Sequence, residues 1–355
     1  MTKAVLVAGG AGYVGAHTCK SLARAGFLPV VLDNLSTGHR DFVRWGPLVE
    51  ADLRDTAVIA DAIRRYHCGA VLHFAAFAYV GESVTDPAKY YDNNVAGTLS
   101  LLAGMRAARC DALVFSSTCA IYGQPREVPI VEETPPDPIN PYGASKMMAE
   151  RILADFGPAY GLRSIALRYF NACGADSITE IGELRDPETH LIPRAMMALQ
   201  GHIPDFSVFG TNFETPDGTA IRDYIHVADL ADAHVSALEQ LLAGKPGGVF
   251  NLGTGRGYSV REVLNAIEHE TGERLPSVTG PRRPGDPPVL IANPARARRE
   301  LGFNPQHSDL TNIVRTAWAW HRRAHPKRNA PAGAGALRFG WGEVGPAPSK
   351  GAARP

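Results

Sequence analysis

The chain has 355 residues, of which 45% are hydrophobic, so it can bury a large core and has room for two domains or one domain with an insertion. Lysine plus arginine and aspartate plus glutamate each number 36, so the formal net charge is zero. This balance excludes the basic field that would attract nucleic acid or an acidic membrane surface, and small-molecule chemistry becomes the default expectation.

The cysteines and the N-terminal sequence indicate the cellular compartment of the protein. The cysteines are scattered and form no C-x-x-C pair that would indicate zinc or a redox couple; they are Cys19, Cys68, Cys110, Cys119 and Cys173. We therefore expect reduced thiols and no metal site. The N-terminal run "MTKAVLVAGGAG" reaches glycines too early for a signal peptide or a membrane span. These features predict a cytoplasmic protein.

Short apolar runs alternate with longer amphipathic stretches along the chain. The first runs are "AVLVAG" and "FLPVVLDN", with the helical pattern "HTCKSLARAG" between them. Further strand candidates are "AVLHFAA", "ALVFSS", "SIALRYFN" and "GVFNLG", and "VADLADAHVSALEQLLAG" has the pattern of a helix that ends at glycine. Continuous apolar strands separated by helices are typical of a parallel sheet covered on both faces. The sequence predicts an α/β fold with a doubly wound parallel sheet of Rossmann type.

The composition of the sequence changes after about Cys173, where prolines and charged residues separate shorter predicted elements. We expect residues 1–173 to form a dinucleotide-binding domain and residues 174–325 mainly a smaller, loop-rich substrate lobe. The strand "GVFNLG" indicates that later segments, about 222–255, return to the large sheet. Residues 326–355 are rich in Ala, Gly and Pro, which predicts a mobile tail.

The stretch "VLVAGGAGYVGAHT" has the form of a phosphate-binding turn between a strand and a helix. Its pattern Gly10-x-Gly12-x-x-Gly15 fits the dinucleotide fingerprint, in which missing side chains let the backbone approach a pyrophosphate. The next strand ends in Asp33, whose carboxylate would bind ribose hydroxyls and repel a 2′-phosphate, which favours NAD. Arg40 lies nearby and leaves NADP open, and a purely structural glycine turn is the alternative.

Tyr142 and Lys146 lie four residues apart in "NPYGASKMMAE", at the start of a predicted helix. At this spacing both side chains occupy one helix face, so the Lys146 ammonium can favour the ionised form of the Tyr142 phenol. Tyr142 would then be a proton donor and acceptor near neutral pH. A surface pair that arose by chance is the alternative.

Longer motifs extend these signals. The segments "FSSTCAIYG" at 115–123 and "PYGASK" at 141–146, with the glycine-rich first turn, resemble the extended short-chain dehydrogenase/reductase family. "VGESVTDPAKYYDNNVAGT", "LRYFNACGA" and "TAIRDYIHVADLADAH" are similar, more closely, to the UDP-glucose 4-epimerases (UDP-galactose 4-epimerases) of that family, from about Ala4 to about His325. The resemblance implies an isomerase that uses NAD to epimerise C4 of a UDP-hexose through a transient 4-keto sugar.

The resemblance also implies roles for individual residues. Tyr142 would be the acid and base at the sugar 4-hydroxyl, Lys146 would hold the nicotinamide ribose and lower the pKa of Tyr142, and Thr118 would supply the family's hydroxyl. The implied NAD contacts, besides Tyr142 and Lys146, are Gly9, Gly12, Tyr13, Val14, Gly15, Asp33, Asn34, Asp52, Leu53, Phe74, Ala75, Ala76, Asn93 and Phe170. The implied UDP-sugar contacts, besides Thr118 and Tyr142, are Asn171, His190, Arg222, Arg283, Asp286 and Leu290.

Related enzymes use the same tyrosine, lysine and glycines for other reactions. The 4,6-dehydratases carry Asp-Glu directly after the threonine and nucleotide-sugar decarboxylases place a glutamate there, whereas this chain has Cys119 and Ala120. Neither of those reactions finds its acid here. Another nucleotide-sugar epimerase and a non-catalytic dinucleotide-binding sensor remain alternatives, although a sensor would be expected to lose the Tyr142/Lys146 pair.

Three positions depart from the family pattern. Many members carry a lysine that reaches the cofactor ribose where this chain has Ala78, so that contact is missing or replaced. His190 stands where some relatives have an asparagine that touches the nucleotide, and a structural histidine is an equal alternative. Leu290 aligns with a pocket-size position where tyrosine restricts the enzyme to glucose and galactose and a small residue admits N-acetylated sugars. Leucine is intermediate, so we expect UDP-glucose and UDP-galactose as the main pair and leave activity on UDP-GlcNAc and UDP-GalNAc open.

The resemblance also implies a homodimer formed through two helices of the large domain. The candidate segments are "DPAKYYDNNVAGTLSLLAGMRAA" and "PYGASKMMAERILADFG", whose outer faces would pack against the partner as a four-helix bundle. Burial of the same faces against the chain's own sheet is the alternative. We expect a UDP-sugar substrate and no nucleic-acid or membrane partner.

Overall fold

The structure is a computed structural model that describes residues 3–204, 206–283 and 285–325. In chain order, its strands are β1 (Lys3–Ala8), β2 (Phe27–Asp33), β3 (Leu48–Glu50), β4 (Cys68–His73), β5 (Ala112–Ser116), β6 (Arg163–Tyr169), β7 (Asn171–Cys173), β8 (Ser207–Phe209), β9 (Ile221–His226), β10 (Gly248–Leu252), β11 (Gly257–Ser259), β12 (Val278–Gly280) and β13 (Val289–Leu290).

Helices separate most of these strands. In chain order, the α-helices are α1 (Tyr13–Arg24), α2 (Thr56–Tyr66), α3 (Val80–Thr85), α4 (Pro87–Tyr90), α5 (Gly97–Ala108), α6 (Pro141–Tyr160), α7 (Leu191–Leu199), α8 (Val227–Leu242), α9 (Val260–Thr271), α10 (Ala295–Leu301) and α11 (Leu310–Ala324). A π-helical segment, Tyr91–Ala96, joins α4 to α5, and short 3₁₀ turns lie at Arg40–Phe42 and Cys119–Tyr122.

Within the described residues, the main sheet has seven strands in the order β3-β2-β1-β4-β5-β6-β10. Every neighbouring pair in it is parallel. The strand order runs outward in both directions from β1 and β4, and doubly wound sheets bind ligands at such a reversal, beyond the carboxyl ends of the strands. The predicted Rossmann-type fold class is confirmed.

Both faces of this sheet are covered, which explains the continuous apolar strand patterns. In β1, Val5 and Val7 pack into a core with residues of α1 and α8, whereas Leu6 packs into a second core with residues of α2, α5 and α6. Successive side chains of a strand point to opposite faces, so a strand buried on both sides needs apolar residues at every position.

The smaller lobe is built around β9. It pairs with β7 and β13 in parallel and with β11 in antiparallel fashion, while α7, α9 and α11 pack together beside this sheet. The chain then returns to the main sheet through α8, which packs on α1, and through β10, which pairs with β6. The first residues of the predicted return segment, before Val227, therefore lie in the smaller sheet.

Local signals explain the boundaries of α6, the helix that carries the Tyr142/Lys146 pair. Asn140 caps its first turn because the Asn140 side chain accepts a hydrogen bond from the Gly143 N–H at 2.9 Å. Pro141 occupies the first helical position, where the missing N–H costs nothing. Gly161 ends the helix with φ 73°, a left-handed conformation that glycine adopts without strain.

Two further predictions concern the C-terminal tail and membrane-spanning helices. The segment 326–355, predicted as a mobile tail, lies outside the described residues. The described helices include none that combines the length and apolar character of a membrane span.

Asp229, in the first turn of α8, joins the large sheet to the segment that precedes α11. Its carboxylate accepts hydrogen bonds from the N–H groups of Gln306 and His307, at 2.8 and 2.9 Å, and from the Ser308 hydroxyl at 2.5 Å. The side chain is 5% exposed. Charge-assisted bonds of this kind are about twice as strong as neutral ones.

Asp229→Asn should lower the free energy of unfolding by about 1.5–3 kcal/mol, because the amide loses the charge and one of the two acceptor oxygens. Urea denaturation followed by circular dichroism measures this change. Glu239→Gln, at an exposed position of the same helix, should stay within about 0.5 kcal/mol of the parent. Equal effects of the two substitutions would contradict an anchoring role for Asp229.

Candidate active site

A cleft of about 370 Å³ opens at the carboxyl ends of the central strands. Its walls come from the glycine turn, the segments after β2 and β4, the start of α6, and a loop of the smaller lobe at 184–186. The predicted cofactor residues that line it are Gly9, Gly12, Tyr13, Val14, Gly15, Asp33, Asn34, Leu53, Phe74, Ala75, Ala76, Asn93, Tyr142 and Lys146. The cleft therefore gathers residues that are up to 177 positions apart, from Gly9 to Asp186.

The glycine turn has the geometry of a phosphate cradle. Gly9 has φ +80°, and a Cβ atom on Gly15 would lie 2.2 Å from the Gly9 carbonyl oxygen, so neither position tolerates a side chain. Helix α1 begins directly after Gly12, without a side-chain cap on its first-turn N–H groups. Such a helix start offers unpaired N–H donors and a positive dipole end, which fits a diphosphate.

Asp33 fixes the turn from the end of β2. Its carboxylate accepts hydrogen bonds from the backbone N–H groups of Ala11 at 3.0 Å and Leu35 at 2.9 Å. Burial raises the pKa of Asp33, and these two hydrogen bonds oppose that effect. Arg40, which left NADP open, forms an ion pair with Glu50 on β3.

Tyr142 and Lys146 are both buried at the inner end of the cleft, where they are 7% and 4% exposed. The Lys146 ammonium donates to the Ser116 carbonyl oxygen at 2.8 Å and lies 4.7 Å from the centre of the Phe115 ring. Burial lowers the pKa of Lys146 to about 7, and the carboxylate of Glu150 opposes this shift. Burial also raises the pKa of Tyr142, while the side chain of Thr118 lowers it.

A hydrogen-bonded network holds the first turn of α6 against the cleft wall. Asn94, in the π-helical segment, accepts from the Phe77 N–H at 3.0 Å and donates to the Phe77 carbonyl at 3.1 Å. It also donates to the Ser145 hydroxyl at 3.0 Å, and Ser145 donates to the Tyr142 carbonyl at 2.8 Å. The π turn thus places one amide where it joins the Phe77 segment to the helix of Tyr142, as π-bulges often do at functional sites.

A buried ion pair anchors α6 one turn beyond Lys146. The guanidinium of Arg168, on β6, donates to both carboxylate oxygens of Glu150, with the shortest contact at 2.5 Å. Ser117 donates to the same carboxylate at 2.5 Å. Arg168 also donates to the Tyr122 hydroxyl at 2.8 Å, which in turn donates to Asn251 on β10 at 2.7 Å. This Glu150 network joins α6 to two strands of the sheet.

Of the predicted substrate residues, Tyr142 lines the cleft and the others lie outside its lining. Arg222, on β9, donates to Asp286 at 2.5 Å, and Leu290 is its partner in the register between β9 and β13. Asn171 donates to the backbone of the same strand, at the Asp223 carbonyl, at 3.1 Å. The Arg283 carbonyl accepts from the Asp286 N–H at 3.2 Å, and the Arg283 guanidinium lies 4.8 Å from the centre of the Phe209 ring.

Thr118 and Cys119 lie at the start of the 3₁₀ turn that follows β5. Thr118 is 6% exposed and accepts from the Ala120 N–H at 3.1 Å, which caps the 3₁₀ turn. Burial raises the pKa of the Cys119 thiol to about 12, and the charge of Arg222 opposes this shift.

Three predicted residues occupy other surroundings. Asp52 is paired with Arg54 at 2.7 Å and accepts from Asn34 at 3.1 Å, and the hydrogen bond to Arg54 lowers its pKa. Phe170 is buried in a cluster with Tyr122. His190 precedes α7, where its Nδ1 lies 2.9 Å from a Glu188 carboxylate oxygen.

His190 also belongs to a group of potential metal ligands. In the described part of the chain, ligand atoms of Glu183, Glu188 and His190 lie within 4.8 Å of one another. Glu188 already accepts from the N–H groups of Thr189 and His190, and Glu183 accepts from Arg185 at 2.8 Å. Protein donors therefore occupy the carboxylates that a metal ion would need.

Several residues that line the cleft were not predicted from the sequence. They are Leu32, Leu35, Ser36, Thr37, Gly38, His39, Ala51, Phe77, Ala78, Tyr79, Tyr169, Leu184, Arg185 and Asp186. Those at 35–39 directly follow Asp33, so their position beyond a strand end was a usable signal. Arg185 comes from the loop-rich lobe, where no local sequence pattern indicates that a side chain lines the cleft.

The fold and the site together define a protein of the dinucleotide-binding dehydrogenase type. A sequence profile of the NAD-dependent epimerase/dehydratase family matches residues 5–253. The chain is 53% identical over 321 residues to a UDP-glucose 4-epimerase of Rhizobium leguminosarum bv. trifolii, covering 90% of this chain and 98% of that protein. The chain belongs to the NAD-dependent epimerase/dehydratase family, and the predicted resemblance is confirmed.

Solved structures agree with this placement. The crystal structure of a UDP-glucose 4-epimerase from Brucella ovis in complex with NAD is 56% identical, with a TM-score of 0.88 over 90% of this chain and 98% of that one. The UDP-glucose 4-epimerase from Bifidobacterium longum in complex with NAD+ and UDP is 36% identical, with a TM-score of 0.85 and the same coverage.

Glu150→Gln should lower the free energy of unfolding by about 3–5 kcal/mol, because it leaves the buried Arg168 guanidinium without a counter-charge. It should also lower the pKa of Lys146, since the carboxylate that favours the ammonium is gone. Urea denaturation measures the first effect, and NMR titration of lysine labelled with ¹³C at the ε position measures the second.

The control lies on the exposed face of the same helix. Arg151 and Asp155 form an ion pair with side chains 79% and 61% exposed. Asp155→Asn should change the free energy of unfolding by no more than about 0.5 kcal/mol and leave the Lys146 titration in place. An unchanged Lys146 titration in Glu150→Gln would refute the electrostatic link between these two residues.

Proposed function

We propose that this chain epimerises C4 of UDP-hexoses with NAD as its cofactor, and interconverts UDP-glucose and UDP-galactose. The observation that carries the proposal is the buried Tyr142/Lys146 pair beside Thr118, at the inner end of a cleft that begins with the glycine cradle. The relatives that are 53% and 56% identical to the chain carry this activity in their names, which supports the same reaction here.

The residues of the cleft fit NAD along its length. The glycine turn and the first N–H groups of α1 would hold the diphosphate, Asp33 and Asn34 the adenosine ribose, and Lys146 the nicotinamide ribose. Bound NAD supplies a nicotinamide ring that can accept and return a hydride. Because the net redox change of an epimerisation is zero, the protein gains from holding this cofactor through many turnovers.

Tyr142 is the proposed proton acceptor and donor at the sugar 4-hydroxyl. Burial keeps its phenol neutral in the structure, so the phenolate needs positive charge nearby, which the Lys146 ammonium would supply. Thr118 would orient the sugar oxygen, and the Arg222 guanidinium would hold the UDP diphosphate by charge-assisted hydrogen bonds while the sugar turns. We assign Asn171, His190, Arg283 and Asp286 to the same UDP-binding side.

The dehydratase and decarboxylase alternatives lack a suitable acid. Both place a carboxylic acid directly after the threonine, at the position of Cys119. Because burial raises the pKa of the Cys119 thiol to about 12, this residue stays a neutral thiol near pH 7. Ala120 offers no ionisable group, so the site supports proton exchange at Tyr142 and no elimination.

The breadth of the substrate pocket depends on Leu290. Its register position opposite Arg222 places it beside the proposed diphosphate anchor. A leucine is smaller than the tyrosine that restricts some relatives to glucose and galactose. We therefore propose UDP-glucose and UDP-galactose as the main pair, with weaker activity on UDP-GlcNAc and UDP-GalNAc.

Incubating the purified protein with UDP-galactose, without added NAD, should give an equilibrium mixture with UDP-glucose. Proton NMR of the sugar signals measures this conversion. Tyr142→Phe should lower kcat by about 10²- to 10⁴-fold, because it removes the proton-transferring hydroxyl. The NAD content, measured by chromatography after acid denaturation, should stay unchanged in this variant.

Tyr160→Phe provides the matched control, since Tyr160 lies on the same helix with 52% of its surface exposed. It should retain full activity. Absence of conversion by the parent protein even after addition of NAD would reject the proposed reaction.

We also propose that the chain acts in the cytoplasm as a homodimer. The free thiols of its cysteines are consistent with a reducing compartment. Leu99 on α5 and Met148 on α6 are 42% and 41% exposed, and they lie on the two helices that the resemblance assigns to a dimer interface. Large apolar side chains exposed on adjacent helices favour burial against a second copy.

Sedimentation velocity at micromolar concentration should give the mass of a dimer for the parent protein and of a monomer for Leu99→Glu/Met148→Glu, because the added carboxylates would be buried in the interface. Ile178→Glu, at a side chain 65% exposed in a loop of the smaller lobe, should remain dimeric. A monomeric parent would rule out the dimer.

A further inference from the structure

Arg185 brings a positive charge into the cleft from the smaller lobe. It lies in the loop between β7 and α7, and its side chain is 25% exposed at the cleft wall. Among the described residues that line the cleft, Lys146 is the lysine and Arg185 the arginine. The Lys146 ammonium is directed at the Ser116 carbonyl, deep in the site. Arg185 is therefore the strong cation at the cleft surface.

Arg185 lines the cleft together with Tyr13, Tyr79, Tyr142 and Tyr169. Burial raises the pKa of Tyr13, Tyr79, Tyr142 and Tyr169, and in each case the charge of Arg185 lowers it. Tyr13 begins α1 at the phosphate cradle, and Tyr142 lies in the first turn of α6 at the catalytic end. Arg185 therefore lines the same cleft as both helix starts.

The segment after β4, which contacts Arg185, carries no lysine or arginine at residues 74–79. The segment after β4 carries Ala78 where many family members have a lysine that reaches the cofactor ribose, and Ala78 lines the cleft. The next residue, Tyr79, contacts Arg185, whose guanidinium lies 5.7 Å from the centre of the Tyr79 ring. The chain thus has an alanine in place of the lysine and an arginine beside it, contributed by the other lobe.

We propose that Arg185 binds the diphosphate and adjoining ribose of the dinucleotide across the cleft from the glycine cradle, and takes the place of the family's lysine at Ala78. This inference rests on the proposed function, in which NAD occupies the cleft. The backbone N–H groups at the start of α1 would hold the diphosphate from one side, and the guanidinium would hold it from the other.

The surroundings of Arg185 prepare it for this contact. Its Nε donates to Glu183 at 2.8 Å, and Glu183 is held in turn because its backbone carbonyl accepts from the Trp320 indole at 2.9 Å. Guanidinium has five N–H donors in a rigid fork, so the bond through Nε and the neighbouring Tyr79 side chain leave further N–H donors that can bind an anion. A side chain held in this way loses little further conformational freedom on binding.

Arg185→Gln should increase the dissociation constant for NAD, or the rate of NAD loss during dialysis, by about 10- to 100-fold, as expected for removal of a hydrogen bond to a charged group. Bound NAD is measured by chromatography after acid denaturation, and affinity by titration calorimetry of the stripped protein. Binding of UDP to the variant saturated with NAD should stay within about 2-fold of the parent.

Two variants separate this role from a structural one. Arg44→Gln removes a cation that contacts Glu180 in the same loop outside the cleft, at 3.6 Å, and should leave NAD retention unchanged. Ala78→Lys introduced into the Arg185→Gln protein should restore at least 10-fold of the lost retention, because a cation returns to the cleft at the position where many family members carry it. A loop that had merely collapsed would not respond to that addition.

The outcomes are distinguishable. A parent protein that neither contains nor binds NAD would reject the proposed function itself. A parent that holds NAD, with Arg185→Gln holding it equally well, would reject the role of Arg185 alone. Unchanged NAD retention with weakened UDP binding would assign Arg185 to the sugar nucleotide and overturn the inference. Arg185→Lys, which keeps the charge, should show an intermediate loss even where the glutamine variant is unstable.

Discussion

The ion pair between Glu150 and Arg168 is the contact on which the geometry of the site depends. Both side chains are less than 10% exposed, and each charge alone would cost several kcal/mol to bury, so α6 can dock on the sheet only where the two charges meet. Lys146 lies one helical turn before Glu150, and Tyr142 one turn before Lys146. A pair that lies outside the cleft therefore fixes the position of both side chains that we propose to be catalytic. The Ser117 hydroxyl, bonded to the same carboxylate, extends the constraint to the strand end that leads to Thr118.

Burial shifts the pKa values of Tyr142 and Lys146 in opposite directions, and both shifts favour the uncharged side chain. It raises the pKa of the Tyr142 phenol and lowers the pKa of the Lys146 ammonium to about 7, and both shifts favour the neutral form. Phosphate groups placed in the cleft would stabilise the ammonium, and positive charge placed beside the phenol would stabilise the phenolate. Ligand binding thus moves each group toward the charge that proton exchange requires. Desolvation disfavours the charged forms of Tyr142 and Lys146 when the cleft holds no ligand. Their ionisation therefore depends on the charges of the ligand that binds there.

The parts of the fold and site that could be predicted from the sequence are those encoded over short distances. The turn of Gly9 to Gly15 and the Tyr142/Lys146 spacing each lie within one strand-turn-helix or one helix, so their pattern is visible locally. The strand predicted at "AVLHFAA" ends at His73 because its last apolar residues form the cleft wall, which local hydrophobicity cannot distinguish from a sheet interior. Arg168 and Arg185 meet their partners through tertiary packing, and Arg185 lies in a loop whose prolines and charges carry no period. Their roles required the structure.

The two lobes contribute different kinds of group to the cleft, and this difference decides what can be transferred from relatives. The sheet half offers backbone N–H groups at a glycine turn, whose positions depend on conformation and on the absence of side chains. The smaller lobe offers the side-chain charge of Arg185, whereas many family members place a lysine in the segment after β4, and a charge can act on the same ligand atom from either position. A relative's backbone contacts therefore carry over wherever the turn is retained, whereas its lysine at the position of Ala78 does not. Because a cation acts through its position in space and not in sequence, the functional equivalent of that lysine lies in another lobe, more than one hundred residues along the chain.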